Sequence, residues 1–201
     1  SYEEAQFLAL NLDLPFMKIA SMDVNNYPFL DFVARLGKPI ILSTGASYLN
    51  EIQEAVDWID IKEVPLALLH CILNYPTEDG NAHLGMIKDL QKNFPDKTIG
   101  YSDHTLPNDM KVLELATLLG ATIIEKHFTF DRSEGGPDAE FSMEPHELKD
   151  LSENISLAHK AIGVGSFEMK SAEESNIKFR RSIYVVKDIK KGEKFTDNNI
   201  R

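Results

Sequence analysis

The 201-residue chain holds one cysteine, Cys71, and one tryptophan, Trp58. A single cysteine excludes any internal disulfide framework and fits a reducing compartment, so a cytoplasmic location is expected. No apolar run approaches the roughly 18 residues that a membrane helix needs, and no basic-then-apolar leader opens the sequence. Basic residues are scarce relative to acidic ones: 21 Lys and Arg stand against 32 Asp and Glu, a formal charge of −11. Nucleic acid is therefore not an expected partner, because affinity for a phosphate backbone comes largely from clustered Lys and Arg. The apolar share of 43% sets the chain apart from disordered sequences. An anionic small substrate stays open if a few cations are placed locally.

What is present is an alternation of short apolar runs and longer amphipathic stretches. The runs are 16–21, 39–44, 65–71, 98–102 and 121–127, each nearly continuous in apolar residues, as expected of parallel strands covered on both faces. Helical periods fall at about 2–13, 28–37, 48–60, 83–94, 108–119 and 145–162. Ser47 or Asn50 is placed to cap the third helix, Asn108 to start the fifth, and Gly37 and Gly120 to end helices before strands. The βα alternation predicts a parallel sheet with right-handed crossovers.

Every predicted strand ends in chemically able residues: Lys18 and Ser21, Ser43 and Thr44, His70 and Cys71, Ser102-Asp103-His104, Glu125 and His127. Strand carboxyl ends carry the chemistry of a (β/α)₈ barrel, whereas a doubly wound sheet concentrates it at one switch point. Five equipped strands of five favour the barrel. Only five of eight strands are counted, so about three are expected upstream of Ser1, which itself is not a methionine. The expected organisation is a carboxyl-terminal part of a barrel over 1–163, a linker over 164–178, and the start of a small β domain over 179–201, with a strand at 179–186.

His104 and His127, at the ends of adjacent strands, are candidate ligands for a divalent metal, imidazole suiting Mn, Fe, Co or Zn better than Ca. Two unrelated histidines would give the same spacing. Lys18 with Ser21, Ser43 and Ser102 supplies one cation and three hydroxyls, a set able to hold a phosphate, although serines also end strands routinely. His70 and Cys71 point to opposite faces of their strand and cannot form a nucleophile pair; Cys71 is expected in the core. Trp58 is expected to pack its helix on the barrel, and His83, His146 and His159 to lie at the surface.

Six segments in this order carry a resemblance: Lys18-Ile19-Ala20-Ser21, Gly37–Gly45, Leu69-His70-Cys71 with Tyr75-Pro76-Thr77, Gly100–Thr105, Ile124–Thr129 and Gly136-Pro137-Asp138. Together they resemble the N-acetylneuraminate (sialic acid) synthase family over nearly the whole chain. The resemblance implies a TIM barrel followed by a linker and an antifreeze-like (SAF) domain, with a domain-swapped homodimer for the full-length protein. The implied reaction condenses phosphoenolpyruvate with an N-acetylmannosamine-type sugar, giving a nine-carbon 2-keto acid and phosphate, with Mn²⁺ or Mg²⁺ as cofactor. By the same resemblance His104 and His127 match metal ligands, and Lys18, Ser21, Ser43 and Ser102 match phosphate contacts. Tyr75, Glu125 and Asp138 match groups on the sugar, Glu125 and Lys18 having catalytic roles. Leu73 stands where a polar residue is expected on the phosphoenolpyruvate carboxylate, with Asn74 beside it as a substitute, and Glu78 where a proline is frequent. Those departures point to a modified acceptor such as a 2,4-diacetamido sugar. Two other readings remain: a phosphoenolpyruvate-condensing barrel using an arabinose 5-phosphate-like acceptor, for which no Arg cluster is seen, and a noncatalytic sugar-binding barrel.

Overall fold

All five expected strands form in the computed structural model of residues 1–201. They are β1 (Met17–Ile19), β2 (Ile40–Ser43), β3 (Leu66–Cys71), β4 (Thr98–Asp103) and β5 (Ile124–Lys126), all parallel, in the spatial order β1-β2-β3-β4-β5. Helix α1 (Tyr2–Asn11) precedes them; α2 (Tyr27–Ala34), α3 (Leu49–Asp60), α4 (Gly85–Asn93), α5 (Lys111–Leu118) and α6 (Pro145–Ile162) follow one strand each. The buried stripe of α3, Ile52, Ala55, Val56 and Ile59, keeps the three-to-four-residue period that turns one helix face to the sheet. The sheet answers with Ile40, Leu42, Leu66, Leu68, Ile99 and Tyr101, all in one core cluster. Full burial of a side chain such as Leu42 or Leu68 stabilises the fold by roughly 1.5–3 kcal/mol.

The opposite face of the sheet is concave. In a flat sheet β1 and β5, four strand spacings apart, would be separated by about 19 Å. Yet Lys18 Nζ on β1 lies 3.3 Å from Glu125 Oε2 on β5, so the sheet curls until its two outermost strands face each other. The unit is an incomplete (β/α)₈ barrel of five βα repeats. Alternation along the strands turns Lys18, Ser43, Cys71, Ser102 and Glu125 into the lumen, with Cys71 opposite Ser102 and Ser102 opposite Glu125 in register. Gly100 makes this possible in β4: a Cβ there would come within 2.5 Å of both Leu69 Cδ2 and the Ile123 carbonyl oxygen.

Several boundaries differ from expectation. The edge strands β1 and β5 are shorter than their apolar runs, since each has a ladder on one side only. Helix α5 starts at Lys111 rather than 108: Met110 adopts a left-handed conformation and the Asp109 carboxylate accepts from the Lys111 N–H at 3.2 Å. Neither Ser47 nor Asn50 caps α3; Glu51 reaches back to the Tyr48 N–H at 2.8 Å. Gly37 and Gly120 do follow α2 and α5 with positive φ, 76° and 99°. Trp58 lies off the buried stripe of α3, 41% exposed, and stacks on Tyr27 at 6.4 Å between centroids, joining α3 to α2 within the helix layer rather than to the sheet. 

Contacts divide the chain into Ser1–Gly163 and Val164–Arg201. In the second unit a 3₁₀ helix spans Ser171–Phe179, across the expected linker and into the expected strand. The strand itself reduces to one antiparallel bridge, Val185 with Ile200, supported by Val186 N–H to Asn199 O at 2.9 Å. A strand needs a ladder of partners, and within this unit residues 199–201 alone supply one.

Candidate active site

The carboxyl ends of the strands gather the lumen side chains around Cys71. This thiol is buried, as expected, and it forms the floor of the site, bracketed by the Ser21 and Ser102 hydroxyls, with its Sγ 4.0 Å from His104 Nδ1. Burial pushes the thiol up from its ordinary range, against the pull of those two hydroxyls, so it stays a neutral thiol at pH 7. Ser102 Oγ donates to Glu125 Oε1 at 2.7 Å, and Glu125 Oε2 meets Lys18, whose ammonium also donates to the Ile19 carbonyl at 3.1 Å. Ser21 Oγ accepts from the Gly45 N–H at 2.8 Å. Ser43 is buried and its hydroxyl has no partner. It is a buried hydroxyl without an acceptor, on the same lumen face of the sheet as Lys18. 

The two histidines come together. Their ring centroids are 5.2 Å apart. His104 Nδ1 lies 2.9 Å from the Ile72 carbonyl oxygen, which only accepts, so Nδ1 carries the proton and Nε2 the lone pair. His127 Nδ1 lies 3.5 Å from Asp138 Oδ2, so its Nε2 is turned away from that carboxylate. Burial pushes the His104 imidazole down, more than its bond to Ile72 raises it, and a neutral ring is the form that binds a metal. The loop after β5 is anchored to this spot, for Met143 N–H donates to the His127 carbonyl at 2.8 Å. That bond brings Phe141, buried, against His127 at 4.9 Å and Tyr75 at 5.8 Å between centroids. Phe141 gave no periodic signal in the sequence and was not singled out there. Tyr75, next to a cis bond to Pro76, tilts over His104 at 4.2 Å and is half exposed at the rim. 

Other expectations separate from this group. Asn74 is exposed, and its carbonyl accepts from Thr77 Oγ1 at 2.7 Å; Leu73 instead sits against Gly45, at a hollow of about 230 Å³ shared with Ser21. His70 faces the helices, bonded to the Ala82 carbonyl at 2.8 Å, at a cavity of about 660 Å³ between α3 and α4 that the lumen residues other than Cys71 do not line. Glu144, His146 and Glu147 hold three ligand atoms within 4.8 Å of one another. Their carboxylates are already engaged: Arg132 takes Glu147 through two nitrogens at 2.5 and 2.8 Å, and Glu144 accepts from the Arg132 N–H at 2.8 Å. The Glu144 N–H bonds Glu147 at 2.7 Å, so this cluster caps α6 and is not a vacant donor set.

The chain has known relatives. Residues 1–167 match the NeuB family. The chain is 40% identical to an N,N'-diacetyllegionaminic acid synthase of Campylobacter jejuni over 98% of its own length and 59% of the relative's. It is 36% identical to a pseudaminic acid synthase of Helicobacter pylori over 98% and 58%. The crystal structure of an N-acetylneuraminic acid synthetase from Leptospira borgpetersenii, in complex with citrate, superposes with a TM-score of 0.78 at 38% identity, covering 84% of this chain and 58% of that one. The chain thus spans under two thirds of the length of these relatives, and over that span its sequence and its half-barrel agree with theirs: it belongs to the NeuB family.

Proposed function

We propose that the protein carrying this chain condenses phosphoenolpyruvate with an amino-sugar aldehyde of the N-acetylmannosamine type, giving a nine-carbon 2-keto acid and phosphate. The observation that carries the reading is the meeting of Lys18, Glu125 and Ser102 across the lumen beside the two facing histidines. Family membership and the names of the synthases it resembles add to it. In the reaction, C3 of phosphoenolpyruvate forms a bond to the sugar's aldehyde carbon, water adds at C2, and the C2–O bond to phosphate breaks from the resulting tetrahedral carbon.

The chain's own residues serve each stage. Lys18, with the hydroxyls of Ser21, Ser43 and Ser102, holds the phosphate and stabilises its departure. Glu125, fixed by Ser102 and Lys18, orients the sugar and is the carboxylate placed to move a proton at the reacting carbons. Tyr75 and Asp138 line the rim where the sugar would enter, and with Lys18, Glu125 and the hydroxyls they hold the reactants in one geometry; Asn74, on the Tyr75 loop, stands outside that group. Of the two ions the resemblance implies, the imidazole pair suits Mn²⁺ better than Mg²⁺: with His104 Nδ1 turned to the Ile72 carbonyl and His127 Nδ1 toward Asp138, both Nε2 atoms would hold one ion. When bound, the ion supplies Lewis-acid polarisation of the aldehyde oxygen. Leucine at 73 in place of a polar group extends the reading to 2,4-diacetamido sugars as acceptors. A SAF domain and a domain-swapped homodimer belong to the same proposal for the full-length protein.

Phosphate release tests it. With Mn²⁺ and phosphoenolpyruvate, the full-length protein is expected to liberate phosphate only when an amino-sugar acceptor is added. No release across a panel of N-acetylmannosamine and diacetamido hexoses would contradict the assignment, and release driven by a pentose 5-phosphate would favour the other condensing barrel.

A further inference from the structure

The strands that carry the two histidines are tied together on their other face. Asp103 and Lys126 pair in register, one residue along from the lumen-facing Ser102 and Glu125, and so point away from the lumen toward the helices. Their side chains are 0% and 1% exposed, and Lys126 Nζ is 2.6 Å from Asp103 Oδ2. The ammonium also donates to the Thr105 carbonyl. Asp103 Oδ1 accepts from the Tyr101 hydroxyl at 2.9 Å and the Thr105 N–H at 3.2 Å, while Oδ2 takes the Thr105 hydroxyl at 2.9 Å.

Stability is a weak reason for such a group. Desolvating two charges costs about as much as their attraction returns, and an apolar pair of equal volume often serves as well. What the network does fix is placement. Asp103 and Thr105 flank His104, and Lys126 immediately precedes His127, so its bonds brace the backbone on both sides of one histidine and next to the other. We infer that the Asp103–Lys126 pair is a positioning device that sets the separation and direction of the two imidazoles, so that both Nε2 atoms reach one divalent ion. The inference rests on the metal reading above.

The test is Mn²⁺ affinity, read from the electron paramagnetic resonance of free Mn²⁺ on the full-length protein without substrates, beside its melting temperature. Replacing the pair by apolar residues, Asp103→Leu with Lys126→Met, is expected to leave cooperative melting but weaken Mn²⁺ binding by about 10–100-fold. The kcat is expected to fall while KM for phosphoenolpyruvate stays within about threefold, because Lys18 and the hydroxyls are untouched. Should the double variant fail to fold, Thr105→Val decides: it keeps both charges, removes one donor from Asp103, and is expected to weaken Mn²⁺ binding by about threefold or more. A folded variant that binds Mn²⁺ as tightly as the parent overturns the inference and leaves the metal reading standing. A parent that binds no Mn²⁺ overturns both.

Discussion

Alanine at position 127 is expected to lower kcat of the full-length protein by about a thousandfold or more while the protein stays folded. On the proposed metal reading, loss of an imidazole ligand removes the Lewis acid, worth several kcal/mol of transition-state stabilisation, and each ~1.4 kcal/mol is tenfold in rate. His127→Ala is a cleaner test than the same change at 104. The His127 side chain is about one-third exposed and its Nδ1 contact to Asp138 spans 3.5 Å, so truncation leaves neither a sealed cavity nor a buried orphan. His104 is buried and bonded to the Ile72 carbonyl, and its removal would damage the fold as well as the site. The check is a melting curve, Mn²⁺ binding and phosphate release measured on one preparation. Full activity in a variant without His127 would remove that residue from the metal set.

Lys18→Met is expected to lower kcat/KM for phosphoenolpyruvate by about 10²–10³, the range for losing one preorganised partner of the developing charge. The side chain is 28% exposed and its Glu125 pair lies at an open rim, so the change in folding stability should stay within about 1 kcal/mol. Arginine at 18 should not restore the rate: its planar fork is longer than the ammonium and cannot keep both the Ile19 carbonyl and the Glu125 contacts in the same place. Initial rates against phosphoenolpyruvate concentration would show the loss; an unchanged kcat/KM would take Lys18 out of the phosphate site.

The sheet was legible because a strand covered on both faces needs apolar residues throughout, and the β3 run from Leu66 to Cys71 is buried at every position. The candidate site was legible for a related reason: a lysine in the middle of β1 and serines or histidines at strand ends are the exceptions to that rule. The burial of Cys71 was legible; the side of the strand it faces was not. Alternation alone says that His70 and Cys71 face opposite ways; which of them faces the lumen follows only from the register with Ser102 and Glu125. Contacts made across long separations were out of reach for the same reason. The Asp103–Lys126 pair spans 23 residues of chain, and Phe141 reaches the histidines through the hydrogen bond of Met143 to His127, which no local pattern announces. In the second unit, the alternating residues 179–186 carried a strand signal without the neighbouring strands that would make it a ladder.

Anomalous diffraction from crystals of the full-length protein soaked in Mn²⁺ puts the convergence of these side chains to the most direct test. The expected result is one strong peak within bonding distance of both His104 Nε2 and His127 Nε2. A peak on Glu144, His146 and Glu147 instead, or none near either imidazole, would contradict it.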